Sequence, residues 1–415
     1  MNPFEQPVKP LASSFIDWKA LYPASYNKKE VDPFTKTRVI LMNGTEFEAN
    51  WFSHQFARHC MDADLRRALA LTRRIEQQQQ KALAVLKPID ETILEHTISY
   101  EQLAVELTAI LAQREPDPNV KAALDFALLE DFDHLYRYAD LLEQEKGVYA
   151  ENLVGRYTEI MPGRPTISEH RFPYDNVRAW ANFKDAAPIT KLDVSIITAS
   201  EQQTMNYYMN VAGFYENDVG RRLYQEIGLI EEQHVTQYES LADPSCTWLE
   251  MLLMHEYTEC YLYYSCYMDE TDPRIKTLWE MHFEQECAHL QEAARLLEAH
   301  EGKQWQQAIP QGEFPDLLRF HGNVDYIRGV LASSVRQTSV LENYVNIADV
   351  PCGAEFFKFQ AQVNAEVNEV PSHMVIQNYI ANKGMDYRFE TAPHPIDALR
   401  DRKCDNTQVG RCKDA

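Results

Sequence analysis

Three stretches of this sequence repeat one arrangement of acids and imidazoles. Glu231 and His234 stand three residues apart, as do Glu286 and His289, and Asp131 and His134. A lone carboxylate precedes each acid by thirty residues: Glu201 before Glu231, Glu256 before Glu286, Glu101 before Asp131. Residues three apart share one face of a helix, so the acid and imidazole of each pair address the same volume. One carboxylate from each of two helices, with Glu-x-x-His from each of two others, supplies four carboxylates and two imidazoles. That is the ligand set of a di-metal site within a four-helix bundle. Carboxylates bridge divalent ions, and mixed oxygen and nitrogen donors suit iron or manganese better than a thiolate zinc site. A single Glu-x-x-His is most often a solvated helix face. Threefold recurrence at one fixed step argues for the site instead.

The neighbours of these acids are apolar. Met205, Tyr208 and Met209 follow Glu201, while Leu252, Leu253, Tyr257, Tyr261 and Tyr264 surround Glu256. An unpaired carboxylate on such a face is costly, so cations there would offset both desolvation and mutual repulsion. Tyr208, Tyr257 and Tyr261 are candidates for lining a reactant pocket or relaying electrons, beside the plainer role of core packing.

The elements that must carry these residues are helices. Only 14 glycines and 20 prolines occur in 415 residues, and the prolines cluster between long stretches free of both, which favours helix. The pattern predicts helices over about 50–86, 91–113, 117–146, 191–214, 218–242, 247–269 and 274–300, with two more near 322–347 and 353–382. Residues 1–50 read as an irregular N-terminal arm and 51–147 as a helical region with a divergent ligand hairpin. Residues 148–189, rich in Pro and Gly, form a crossover or linker. The metal motifs occupy 190–300, further helices 301–385, and 386–415 reads as a mobile tail. No alternating strand pattern persists, so the fold class is all-α.

Residues 191–300 resemble the ferritin-like superfamily and, within it, the rubrerythrin type. Glu256-Tyr257-Thr258-Glu259-Cys260-Tyr261 is similar to that family's third bundle helix, where a second Glu three residues on also binds metal. The resemblance thus implies Glu259 as an extra ligand. It also implies a ferritin-like helical bundle holding two Fe ions (or Mn, or a mixed Mn/Fe pair) that reacts with dioxygen or peroxide. An oxidase, oxygenase or peroxidase acting on a small molecule, with an unidentified electron donor, follows from that likeness. The family's rubredoxin-like module has no counterpart: Cys260 and Cys266 are six apart, Cys404 and Cys412 eight apart, and neither pair is Cys-x-x-Cys. These thiols read as small buried or tail residues.

Two ligand sets remain open. Ferritin-like bundles place a long crossover between their second and third helices, and 148–189 occupies that place if Glu101, Asp131 and His134 join Glu201, Glu231 and His234. Residue identity favours Glu201, Glu231, His234, Glu256, Glu286 and His289, because Asp131 breaks the all-Glu pattern, and the balance leans to this set. Glu201, Glu231 and His234 belong to both.

The formal net charge of -23 argues against nucleic-acid or membrane-surface partners. No apolar run approaches a membrane span. Eight cysteines without a dense framework suit a reducing, cytoplasmic setting, and a homodimer is compatible with all of this. Two other functions fit the same residues: iron oxidation with storage, and a helical interaction scaffold with vestigial ligands.

Overall fold

The computed structural model describes residues 1–384, 394–399 and 410–412. It is mostly α-helical, as the composition implies. The first long helices are α1 (Pro33–His59), α2 (Ala63–Ala84), α3 (Ile93–Arg114) and α4 (Pro118–Lys146). Short helices α5 (Ala150–Leu153) and α6 (Thr166–Glu169) precede α7 (Pro188–Phe214), α8 (Asp218–Glu239), α9 (Trp248–Asp269) and α10 (Pro273–Glu301). Then come α11 (Val324–Ser334), an antiparallel hairpin of β1 (Gln337–Val340) and β2 (Asn343–Asn346), α12 (Glu355–Val363) and α13 (Pro371–Lys383). The starts are written locally. Asp32, Asp62, Asp117 and Asp272 cap backbone amides of α1, α2, α4 and α10, and Thr92 and Thr247 form capping boxes with Glu95 and Glu250. Each such cap is worth about 1 kcal/mol.

The chain divides into two compact units. The first comprises Met1–Glu91, Ala181–Gln203 and Ala242–Phe320; the second comprises Thr92–Trp180, Thr204–Leu241 and His321–Ala415. In the first unit, hairpin α1–α2 faces hairpin α9–α10, with α1 against α9 and α2 against α10. The N-terminal residues lie over this core, where Phe4 stacks on Trp305 at 3.9 Å and the Phe314 amide donates to the Met1 carbonyl at 2.8 Å. In the second unit, α3 and α4 form a hairpin, α8 packs on α4, and α13 covers both α4 and α8. Tyr100 of α3 stacks flat on Tyr207, from the part of α7 in this unit, with ring centres 4.5 Å apart. The segment after α4 is pinned to that helix: the Gly163 amide donates to Asp133 Oδ1 at 2.8 Å and the Arg164 amide to the Leu129 carbonyl at 3.0 Å.

Several expectations need correction. The arm stops at Asp32, not at residue 50, because α1 begins at Pro33. Its first turns bury polar residues in pairs that hide the amphipathic period: Lys36 meets Glu91 at 3.2 Å, and Arg38 meets Glu270 and Asp269 at 3.0 Å each. The single helix expected over 50–86 is broken at Cys60–Asp62, where the Asp62 cap opens α2. Residues 337–346 form a β-hairpin instead of extending a helix to 347, and 353–382 is two helices. The motif region 190–300 is not one unit, since 242–320 belongs with 1–91. Cys352 and Cys412 are joined in a disulfide, so Cys412 is more than the plain tail residue expected; Cys404 lies outside the described residues. The described parts of the tail are docked: His394 is buried with Nε2 3.0 Å from the Pro162 carbonyl, and Leu399 is buried. No helix among the described residues is long and apolar enough to cross a membrane.

Candidate metal centres

Each unit gathers buried acids and imidazoles in its core. In the second unit, α3 contributes Glu101, α4 contributes Asp131 and His134, and α8 contributes Glu231 and His234. All five side chains are buried. Asp131, Glu231 and His234 bring ligand atoms within 4.8 Å of one another, and so do Glu101, His134 and Glu231. Glu231 is the shared member. Its two oxygens lie 3.0 Å from His134 Nδ1 and 3.0 Å from His234 Nδ1. Burial pushes its carboxyl up, but the two imidazoles outweigh burial and hold it well below the usual range.

The outer nitrogens have carboxylates of their own. His234 Nε2 lies 2.7 Å from Glu130, which ion-pairs with Arg171 and with Arg164 at 3.3 Å. Against burial, Arg171 leads the interactions that bring Glu130 down to about 2, so it remains an acceptor. An Nε2–H donated to Glu130 leaves Nδ1 of His234 facing Glu231 with a lone pair, the orientation a metal-binding imidazole takes in carboxylate–histidine–metal arrangements. His134 Nε2 points to Glu169, 3.6 Å away. Two more groups close the cluster: Tyr208 donates its hydroxyl to Glu101 Oε1 at 2.5 Å, and Thr108 reaches Asp131 Oδ2 at 3.4 Å. The second oxygen of Glu101 is buried without a hydrogen-bond partner, while Asp131 Oδ1 lies 3.2 Å from His234 Nδ1 and shares that nitrogen with Glu231. Buried polar atoms of this kind ordinarily find partners, so the donor set fits a metal.

The first unit holds the other hairpin. Glu256 and Glu259 of α9 and Glu286 and His289 of α10 are buried together, with His289 Nδ1 3.0 Å from Glu286 and 3.8 Å from Glu256. Glu256, Glu259 and Glu286 bring oxygens within 4.8 Å of one another. Their partners are Glu46 of α1 and Glu76 of α2, and Glu76, Glu256 and His289 form a further close group. Glu46 accepts from the Tyr263 hydroxyl, and Gln79 donates to Glu286 Oε1 at 2.5 Å.

The set that leaned on residue identity is therefore divided. Glu231 and His234 gather with Glu101, Asp131 and His134, whereas Glu256, Glu286 and His289 gather with Glu76, and Glu46 lies near Glu286 and Glu256. A short turn after α8 does not oblige the next helix to join the same core, and the longer segment after α4 is the one that tracks a ligand helix. Glu201 is fully buried on α7, three residues before that helix enters the second unit at Thr204. Of the tyrosines, Tyr208 reaches the cluster; Tyr257 and Tyr261 donate to the backbone carbonyls of Glu313 and Asp316.

Glu46, Glu76, Glu130 and Glu169 escaped sequence reasoning. A signal for the first two exists, because thirty residues separate Glu46 from Glu76, and Gln79 sits at the position of the imidazole. The run Gln77–Gln80 reads as a polar face, yet Gln79 is buried. Farther along, Pro371 opens α13 and Glu369 pairs with Arg222 at 3.3 Å. Compared with protein-family models, with curated proteins and with solved structures, the chain finds no match.

Proposed function

We propose that this protein is a ferritin-like, di-metal oxidoreductase whose centre in the second unit holds two Fe ions, or Mn, between α3, α4 and α8. Glu101, Asp131, His134, Glu231 and His234 would be its ligands. The observation that carries this reading is Glu231, flanked at 3.0 Å by two Nδ1 atoms inside a buried acidic core. Divalent ions would offset the charge of these carboxylates, which removes the cost of burying them together. Bound iron supplies one-electron chemistry toward dioxygen or peroxide. The chain's own residues set its conditions. Burial keeps bulk water out, Glu130 orients His234, and Arg171 and Arg164 keep Glu130 ionised. Tyr208 offers a proton or hydrogen bond at Glu101 Oε1.

The test is metal analysis of protein loaded anaerobically with Fe(II), followed by a visible spectrum on exposure to air. A Glu231→Ala, His234→Ala variant should lose two ions per chain together and the air-dependent absorption with them. Retention of the full complement by a folded variant would sink the assignment.

A further inference from the structure

The same fourfold pattern exists once more, in the first unit. Glu46 on α1 and Glu76-x-x-Gln79 on α2 stand to each other as Glu256 and Glu286-x-x-His289 do on α9 and α10. All are buried, with Glu46 and Glu286 at 0% exposure and Glu259 at 1%. Among the described residues, no lysine or arginine comes within ion-pair distance of any of these five carboxylates, unlike Glu130 in the second unit, although Arg73 acts on Glu76 from farther off. Both oxygens of Glu259 and one each of Glu46, Glu76 and Glu256 have no hydrogen-bond partner, nor does Nε2 of His289. Glu76, Glu256 and His289 form one close group and Glu256, Glu259 and Glu286 another, sharing Glu256, with the buried Glu46 near enough to repel Glu286 and Glu76. Five acids in so dry a core make an arrangement that only cations or protons reconcile.

We propose that the first unit binds its own pair of divalent metal ions, ligated by Glu46, Glu76, Glu256, Glu259, Glu286 and His289. The centre is richer in oxygen than the one in the second unit. Gln79 replaces an imidazole and ties Glu286 in place, and Glu259 supplies a further carboxylate on the facing helix. Hard, oxygen-preferring first-row ions, Mn2+ or Fe2+, match such donors. A small cavity bordered by Ser53, Leu69, Thr72, Glu76, Glu256 and His289 has room for about one water-sized body. The inference stands apart from the centre in the second unit, because the two sets of ligands share no residue.

The experiment is titration of the metal-free full chain with Mn(II), read by bound-metal stoichiometry and EPR. Wild-type protein should take four ions per chain in spin-coupled pairs. Glu76→Gln, Glu259→Gln should take two. Both substitutions keep shape and remove buried acids, so the metal-free variant should melt at or above the wild-type temperature while its gain in melting temperature on adding Mn(II) shrinks. The proposal is overturned if the variant still binds four ions, or if wild type binds two and Glu231→Ala, His234→Ala removes both. Loss of two ions from the Glu76 and Glu259 variant, with none lost from the Glu231 and His234 variant, would uphold this centre and refute the other.

Discussion

Gln79 donates to Glu286 Oε1 at 2.5 Å from the helical position where the three other ligand hairpins carry His134, His234 and His289. An amide can orient the carboxylate but offers a divalent ion a weaker donor than imidazole does. The first unit should therefore hold one ion less tightly than the second unit holds either of its own. Gln79→His would restore the missing ligand. Mn(II) affinity at that centre should rise by about tenfold or more, equivalent to about 1.4 kcal/mol, with the second unit's affinity unchanged. Equal affinities before and after the substitution would show that Gln79 does not face the metal.

Gly163 fixes the segment that follows α4. A Cβ there would lie 2.4 Å from the Leu129 carbonyl oxygen and 2.8 Å from the Asp133 amide nitrogen. Both are backbone atoms of α4 and cannot rotate away. Gly163→Ala must push the segment off the helix and strain the bonds from Gly163 and Arg164, at a cost of about 1–3 kcal/mol or more. The same shift would move Arg164 and Arg171 from Glu130, so urea unfolding should show lower stability together with weaker Fe(II) binding in the second unit. Undiminished stability would mean that the segment gives way without strain.

What could be read from the sequence was local. The ends of α3, α4, α8, α9 and α10 follow from caps such as Thr92, Asp117 and Asp272, and from Gly147 and Gly302 in the left-handed region. The acid and imidazole pairs converge because a three-residue spacing on a helix leaves them little choice. The partnership of hairpins was not local. It depends on which cores the helices between the two outer hairpins fill, and a thirty-residue step is the same whichever hairpin lies opposite. The first hairpin was hidden twice. Lys36 and Arg38 make α1 look irregular although each is neutralised by a buried acid, and Gln79 breaks the histidine motif while keeping its geometry. Glu130 and Glu169 carry no spacing signal, because their part is defined by the rings they face.

Glu106 of α3 gives the second unit a pH dependence apart from its ligands. Burial raises its carboxyl to about 7, against opposing hydrogen bonds from Thr158 at 2.6 Å and Asn323 at 2.7 Å. An ordinary glutamate titrates near 4.5, so between these values the folded chain holds this proton more tightly than the unfolded one. The stabilisation is complete below about pH 4.5 and is lost as pH rises to about 7, by roughly 3 kcal/mol at 1.36 kcal/mol per unit. Glu106→Gln cannot ionise and should flatten that part of the profile. Urea midpoints for both proteins across this range give the comparison, and parallel profiles would exclude Glu106 as the titrating group.

Tyr208 tests whether a residue next to the proposed ligands does more than fill space. Its ring packs against Tyr138 and Tyr224, while its hydroxyl supplies the hydrogen bond to Glu101 Oε1. Tyr208→Phe keeps the ring and removes the hydroxyl. A hydrogen bond to a charged group is worth about 1.5–3 kcal/mol, small enough for the fold to persist and large enough to alter how Glu101 meets a cation. The variant should keep its full metal complement and its melting temperature within a few degrees. Its oxidation of bound Fe(II) in air should slow by about tenfold, or about 1.4 kcal/mol of barrier, with a shifted visible spectrum. A residue that only packs would leave rate and spectrum as they were, so an unchanged trace would assign Tyr208 to the core alone.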